Sequence, residues 1–129
     1  MRYWTAEGEP KMGWRTCVCL LLLACSVLSC TSLGDDVQRA ERAFHEARYE
    51  DVEVWLTDLE PSLGKMETPL RSRYYYLAGM SAYRIGKRNR ARHALLLCRE
   101  ELVASSQRLP PEWMHNLEAA LEELAATPH

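Results

Sequence analysis

Cysteine is nearly missing from the part of this chain that would fold. Of five cysteines in 129 residues, Cys17, Cys19, Cys25 and Cys30 fall within the first thirty, and only Cys98 lies beyond. No disulfide can form within the later segment alone, and Cys98 is expected as a small buried apolar side chain. A basic surplus is missing too. The chain has 16 Lys and Arg against 18 Asp and Glu, a formal net charge of -2, which argues against nucleic acid as a partner. Strand-like alternation is absent after Asp35. So are the groupings that carry catalysis. His45, His93 and His115 lack cysteine, histidine or acidic neighbours at metal-ligand spacing. No glycine-rich loop follows a strand, and Ser105-Ser106 has no base beside it. The expectation is a protein that is not an enzyme and holds no cofactor or metal.

Long apolar runs are also scarce. The main one, Cys17 to Ser29, falls short of the roughly 20 residues that span a bilayer. It follows Lys11, Trp14 and Arg15 and gives way to the polar Thr31, Ser32, Gly34, Asp35 and Asp36. That order is the pattern of an export signal, expected over residues 1–29. Glu7 and Glu9 are odd in such a leader, so Met12 is a candidate true start. Leu22-Leu23-Ala24-Cys25 and Val27-Leu28-Ser29-Cys30 both resemble the lipobox of bacterial lipoproteins. The resemblance implies a lipidated cysteine. Cys30 is the favoured site because polar chain follows it directly, with Cys25 the alternative and residues 30–35 as anchor and short linker.

The body, residues 36–126, reads as five amphipathic helices, so the expected fold class is all-α. The first runs from about Asp36 to Arg48, capped by Asp35 or Asp36, with Val37, Ala40, Phe44 and Ala47 on one face. A break at Tyr49-Glu50 leads to a second helix with Val52, Trp55, Leu56 and Leu59 as its stripe. A loop from Ser62 to Thr68 precedes a third, started by Thr68-Pro69, with Leu70, Tyr74, Leu77, Ala78 and Ile85 near one face and Gly86 as its stop. Asn89 is the expected cap of the fourth, which carries Ala91, Ala94, Leu95, Cys98 and Leu102. After a linker from Ser105 to Pro111, the fifth buries Trp113, Leu117, Ala120, Leu121 and Leu124. The tail, 127–129, is expected to fray.

Two helix pairs share one spacing. Ala40-x-x-Ala43-Phe44-x-x-Ala47-x-Tyr49-x-x-Val52-x-x-x-Leu56 aligns with Gly79-x-x-Ala82-Tyr83-x-x-Gly86-x-Arg88-x-x-Ala91-x-x-x-Leu95, at an offset of 39. The pattern resembles the tetratricopeptide repeat, whose period is about 34 residues. Val52 and Ala47 depart from the alanine and glycine typical at those positions. The resemblance implies two antiparallel helix hairpins, with the fifth helix as a cap. It also implies a concave groove for a partner peptide, lined by Arg73, Tyr76, Met80, Tyr83, Arg84 and Lys87 of the second copy. Glu41, Phe44, His45 and Arg48 of the first copy would join them. A basic cluster (Arg84, Lys87, Arg88, Arg90, Arg92 and Arg99) surrounds the second turn. It is either an anion or acidic-peptide site, or a solvated turn balanced by acids such as Glu118 and Glu122.

Together these features predict a lipid-anchored envelope protein, on the outer membrane facing the periplasm, that binds an envelope protein or acidic peptide as an adaptor or assembly factor. A pilotin-like role is one version of this reading. A lipid-anchored enzyme and a structural lipoprotein without a specific partner are the alternatives.

Overall fold

A computed structural model describes residues 32–126, and all regular structure among them is helical. Five α-helices follow in order: α1 (Leu33–His45), α2 (Tyr49–Leu59), α3 (Thr68–Arg84), α4 (Arg88–Ser105) and α5 (Pro111–Ala126). A 3-10 helix, Glu60–Lys65, joins α2 to α3. The all-α expectation therefore holds, with the expected number of helices. Met12, the apolar run, Cys25, Cys30 and the tail lie outside the described residues.

The helix starts differ from those expected. Ser32, not Asp35 or Asp36, caps α1. Its Oγ accepts from the Asp35 N–H at 3.2 Å, and its own N–H donates to Asp35 Oδ2 at 3.3 Å. This reciprocal pair is a capping box, so Asp35 is the third helical residue rather than the cap. The first break lies at Glu46 to Arg48, and Tyr49 already begins α2. Glu67 occupies the cap position of α3 without a side-chain bond, which puts Thr68 and Pro69 inside the first turn. Proline suits that place because its missing N–H has no helical acceptor there. Lys87 precedes α4, so Asn89 also sits inside the first turn rather than capping it. The expected Ser62–Thr68 loop is partly wound, since the 3-10 helix runs through Lys65 and the chain then sends Met66 into the core.

The turns after α1 and α3 share the same three helix-ending hydrogen bonds. Arg48 N–H donates to the Ala43 carbonyl at 2.9 Å, and Lys87 N–H to the Ala82 carbonyl at 2.8 Å. Ala47 N–H reaches Phe44 at 3.0 Å, and Gly86 N–H reaches Tyr83 at 3.2 Å. Glu46 to Arg42 and Ile85 to Ser81 are both 3.1 Å. This is the Schellman ending of a helix, which needs one left-handed residue just past the cap. Gly86 supplies it with φ 82°, and Ala47 supplies it with φ 58°. Glycine adopts that conformation freely, whereas alanine brings its Cβ against the following carbonyl.

Helix α3 sits at the centre, packed against α1, α2, α4 and α5. A helix with neighbours on every side buries residues all round it. Ser72, Tyr74, Tyr76, Leu77, Gly79, Met80, Ser81 and Ala82 are accordingly buried, while Leu70, Ala78 and Ile85 are only half-buried. The single apolar face expected for α3 was too narrow. Tyr74 donates its hydroxyl to the Leu56 carbonyl at 2.8 Å, and burial pushes its phenol up to about 12. Tyr76 stacks on Trp113 of α5, with centroids 4.3 Å apart and planes 8° from parallel.

Helices α3 and α4 approach closely at Gly79. A Cβ there would lie 2.6 Å from the Leu95 side chain. Arg71 clamps the same pair with a two-pronged bond to Glu101, at 2.7 and 2.9 Å. Cys98 is buried as expected, its Sγ 3.4 Å from the Ser72 carbonyl, and burial pushes the thiol up to about 12. A thiol held neutral in this way is inert as a nucleophile. The five apolar residues expected on α5 are all buried.

Candidate interaction surface

A groove of about 370 Å³ opens between α1 and α3. Val37 and Leu70 give it an apolar floor, and Gln38, Arg42 and His45 line it from α1. Those three fall at i, i+4 and i+7, so one helix face delivers them together. Arg73 enters from α3, and Glu41 joins the two sides, 3.3 Å from Arg73 and 3.8 Å from His45. Arg42 has no ion pair among the described residues. Arg42 and Arg73 set two positive charges against the one carboxylate of Glu41, which leaves the groove with a positive bias.

An aromatic row runs from the half-buried Phe44 and Tyr49 into the neighbouring core. Phe44 meets Tyr49 at 5.4 Å and Tyr76 at 6.2 Å, edge to face. Trp113 covers Tyr76 and lies 6.3 Å from the His45 ring. Such pairs contribute about 0.5–1.5 kcal/mol each beyond their area burial.

The structure separates the six residues assigned to the groove in the second copy. Tyr76 and Met80 are core residues, 1% and 2% exposed, and Trp113 closes over Tyr76. That is a correction, and for Tyr76 its cause is α5, whose Trp113 occupies the surface where the ring would have been open. Tyr83 is hydrogen-bonded to Glu123 of α5, which raises its phenol. Lys87 points to α2 instead and pairs with Glu53 at 2.5 Å. Arg73 lines the α1–α3 groove, and Arg84 is exposed. In the first copy, Glu41 and His45 line the groove and Phe44 flanks it. Arg48 belongs to the turn, where it pairs with Glu46 and Asp51 and lies 5.5 Å over the Trp55 ring.

The basic cluster is largely balanced from within. Glu53, only 12% exposed, takes both Lys87 and Arg90, the latter at 3.3 Å. Arg90 also donates to Thr57 at 3.1 Å, and Arg88 to the Glu123 carbonyl at 3.4 Å. Arg99 pairs with Glu118 at 3.8 Å, and Arg92 shares a cleft with Glu118 and Glu122. Glu118 is thus a balancing acid, as anticipated. Glu53 was missed, because it lies far from the cluster in sequence. Its position one turn into an otherwise acidic α2 was the available signal.

Among the described residues, no three His, Cys, Asp or Glu side chains come together to hold a metal ion. Among them, too, no helix is long and apolar enough to cross a membrane. No family model, no curated protein and no solved structure matches the chain.

Proposed function

We propose that the chain is a lipid-anchored adaptor. In this reading its helical domain is tetratricopeptide-like and binds an acidic segment of an envelope protein in the α1–α3 groove. The observation that carries the repeat reading is the pair of helix endings, matched in three hydrogen bonds at a spacing of 39 residues. With α5 following α4, the pairs α1–α2 and α3–α4 read as two hairpins and α5 as the cap. Arg42 and Arg73 then supply cations to the partner and His45 a ring hydrogen-bonding group, with the half-buried Leu70 as an apolar contact. Arginine suits a carboxylate-bearing segment because its fork binds two oxygens at once. The lipid, on Cys30 or else Cys25, would hold the domain at the outer membrane and raise its effective concentration near membrane partners. A pilotin-like assembly role is the more specific form, and it rests on fold analogy.

Two measurements test this. Mass spectrometry of the mature amino terminus should find an acylated cysteine, lost on Cys30→Ser; an unmodified terminus sinks the anchor. Crosslinking in membranes should give a discrete partner that Arg42→Glu with His45→Glu abolishes and Arg92→Glu spares. A partner indifferent to the groove substitutions removes the groove from the proposal.

A further inference from the structure

Helix α3 carries two arginines that each pair with a glutamate of another helix, and the two pairs differ in kind. Arg71 has all three guanidinium nitrogens engaged. Its Nε and Nη2 hold Glu101 at 2.7 and 2.9 Å, and Nη1 donates to the Met66 carbonyl at 3.2 Å. Arg73 has a single nitrogen engaged. Its Nη1 donates to Glu41 Oε2 at 3.3 Å, while Nε and Nη2 have no acceptor among the described residues. Those two nitrogens form the same side-on edge by which Arg71 holds Glu101. The Arg73 side chain is 48% exposed and opens into the α1–α3 groove. The molecule thus shows this edge filled by a carboxylate at one arginine and open at the other.

Glu41 does two things there. It fixes Arg73 by the remaining nitrogen, so the guanidinium is placed before a ligand arrives. It also sets one negative charge against Arg42 and Arg73, which leaves the groove one net positive charge. That balance suits a single monoanion. A second negative charge, on the same group or on the next residue of a partner, would meet Glu41 with no cation left to offset it. We propose that the groove takes a single carboxylate, seated side-on across Nε and Nη2 of Arg73, and that Glu41 limits it to one. The arginine fork matches the two oxygens of a carboxylate with two parallel bonds, which a lysine cannot do. Leu70, half-buried, lines the same groove and offers a contact for an apolar neighbour of that carboxylate. The partner segment so described carries one isolated acidic side chain beside an apolar one, not a run of acids and not a phosphorylated residue. The proposal rests on the groove being the partner site.

Fluorescence anisotropy with the full chain in detergent tests it. The probes are labelled, end-blocked peptides of leucine and alanine that carry one central glutamate, glutamine or phosphoserine. The parent should bind the glutamate peptide best. Arg73→Lys keeps the charge but not the fork and should weaken that peptide on the order of tenfold, while Arg42→Lys should stay within about threefold of the parent. Glu41→Gln keeps an acceptor for Nη1 and removes the charge. It should move the ratio of the two anionic peptides' affinities about tenfold toward phosphoserine. Circular dichroism checks that each variant keeps its helices, and Glu41→Ala replaces Glu41→Gln if that variant loses them. An Arg73→Lys variant that binds as the parent does overturns the side-on seat, and an unmoved ratio overturns the role of Glu41; both leave the groove standing as the partner site. A glutamate peptide that no form binds, or whose binding survives Arg42→Glu with Arg73→Glu, removes the groove and this proposal with it.

Discussion

Ala47 and Gly86 occupy the same left-handed position in two turns with the same helix-ending hydrogen bonds, yet only one of them is glycine. Exchanging the residue types should shift stability in opposite directions. A left-handed alanine costs roughly 1–2 kcal/mol relative to glycine. Against that, replacing alanine by glycine loosens the unfolded chain, at a cost of about 0.4–1 kcal/mol. Ala47→Gly should therefore stabilise by about 0.5–1 kcal/mol. At Gly86 an added Cβ meets nothing within 4 Å, so no steric clash enters and only the backbone strain remains. Gly86→Ala should destabilise by a similar amount. In a domain of this size about 1 kcal/mol moves Tm by roughly 4–8 °C. Thermal unfolding followed by circular dichroism should place one variant a few degrees above the parent, the other a few degrees below, and the double exchange near it. A loss for Ala47→Gly together with a gain for Gly86→Ala would refute the reasoning, because only the unfolded-chain effect would then remain and neither turn would require a left-handed residue.

Other outcomes follow from the core. Gly79→Ala should cost more than Gly86→Ala, about 1–3 kcal/mol, because its Cβ would press into Leu95; urea titration of the two side by side checks this. Tyr74→Phe leaves the Leu56 carbonyl without its donor and should cost about 1–3 kcal/mol by the same titration. Alkaline pH should unfold the domain, since Cys98 and Tyr74 both have folded pKa values raised to about 12 above free values of 9.0 and 10.0. Their neutral forms suit the fold, so stability is full below pH 9 and declines by about 1.4 kcal/mol per pH unit for each group as it passes from its free to its folded value. Cys98→Ala should delay that onset toward pH 10, read from urea midpoints across the pH series.

What could be read from the sequence was the helices that have one buried side. Helix α5 has a single stripe, and each of its five expected residues is buried. Helix α3 has four neighbours, so its burial has no periodic signature, and Tyr74, Tyr76 and Met80 could not be sorted by spacing alone. The caps were misplaced by one to four residues, most at α1, where several candidates lie close together. Ser32 and Asp35 share one capping box, so of the two expected caps, Asp35 and Asp36, the first takes part in the cap but in the other role. Arg73, Glu41 and His45, which the repeat alignment put together, do share the lining of the α1–α3 groove. The burial of Tyr76 was not legible, because the alignment of two copies carries no information about where α5 would lie.

The central position of α3 bears on how the domain opens. Its amides lie under all the other helices, so they can exchange with solvent only when the whole domain comes apart. Helix α1 or α5 can peel away locally, but neither can leave with an intact half, because both halves claim α3. Hydrogen exchange should therefore report a single slowest group of amides in α3 that tracks global unfolding. Limited proteolysis should trim the ends and yield no stable one-hairpin fragment.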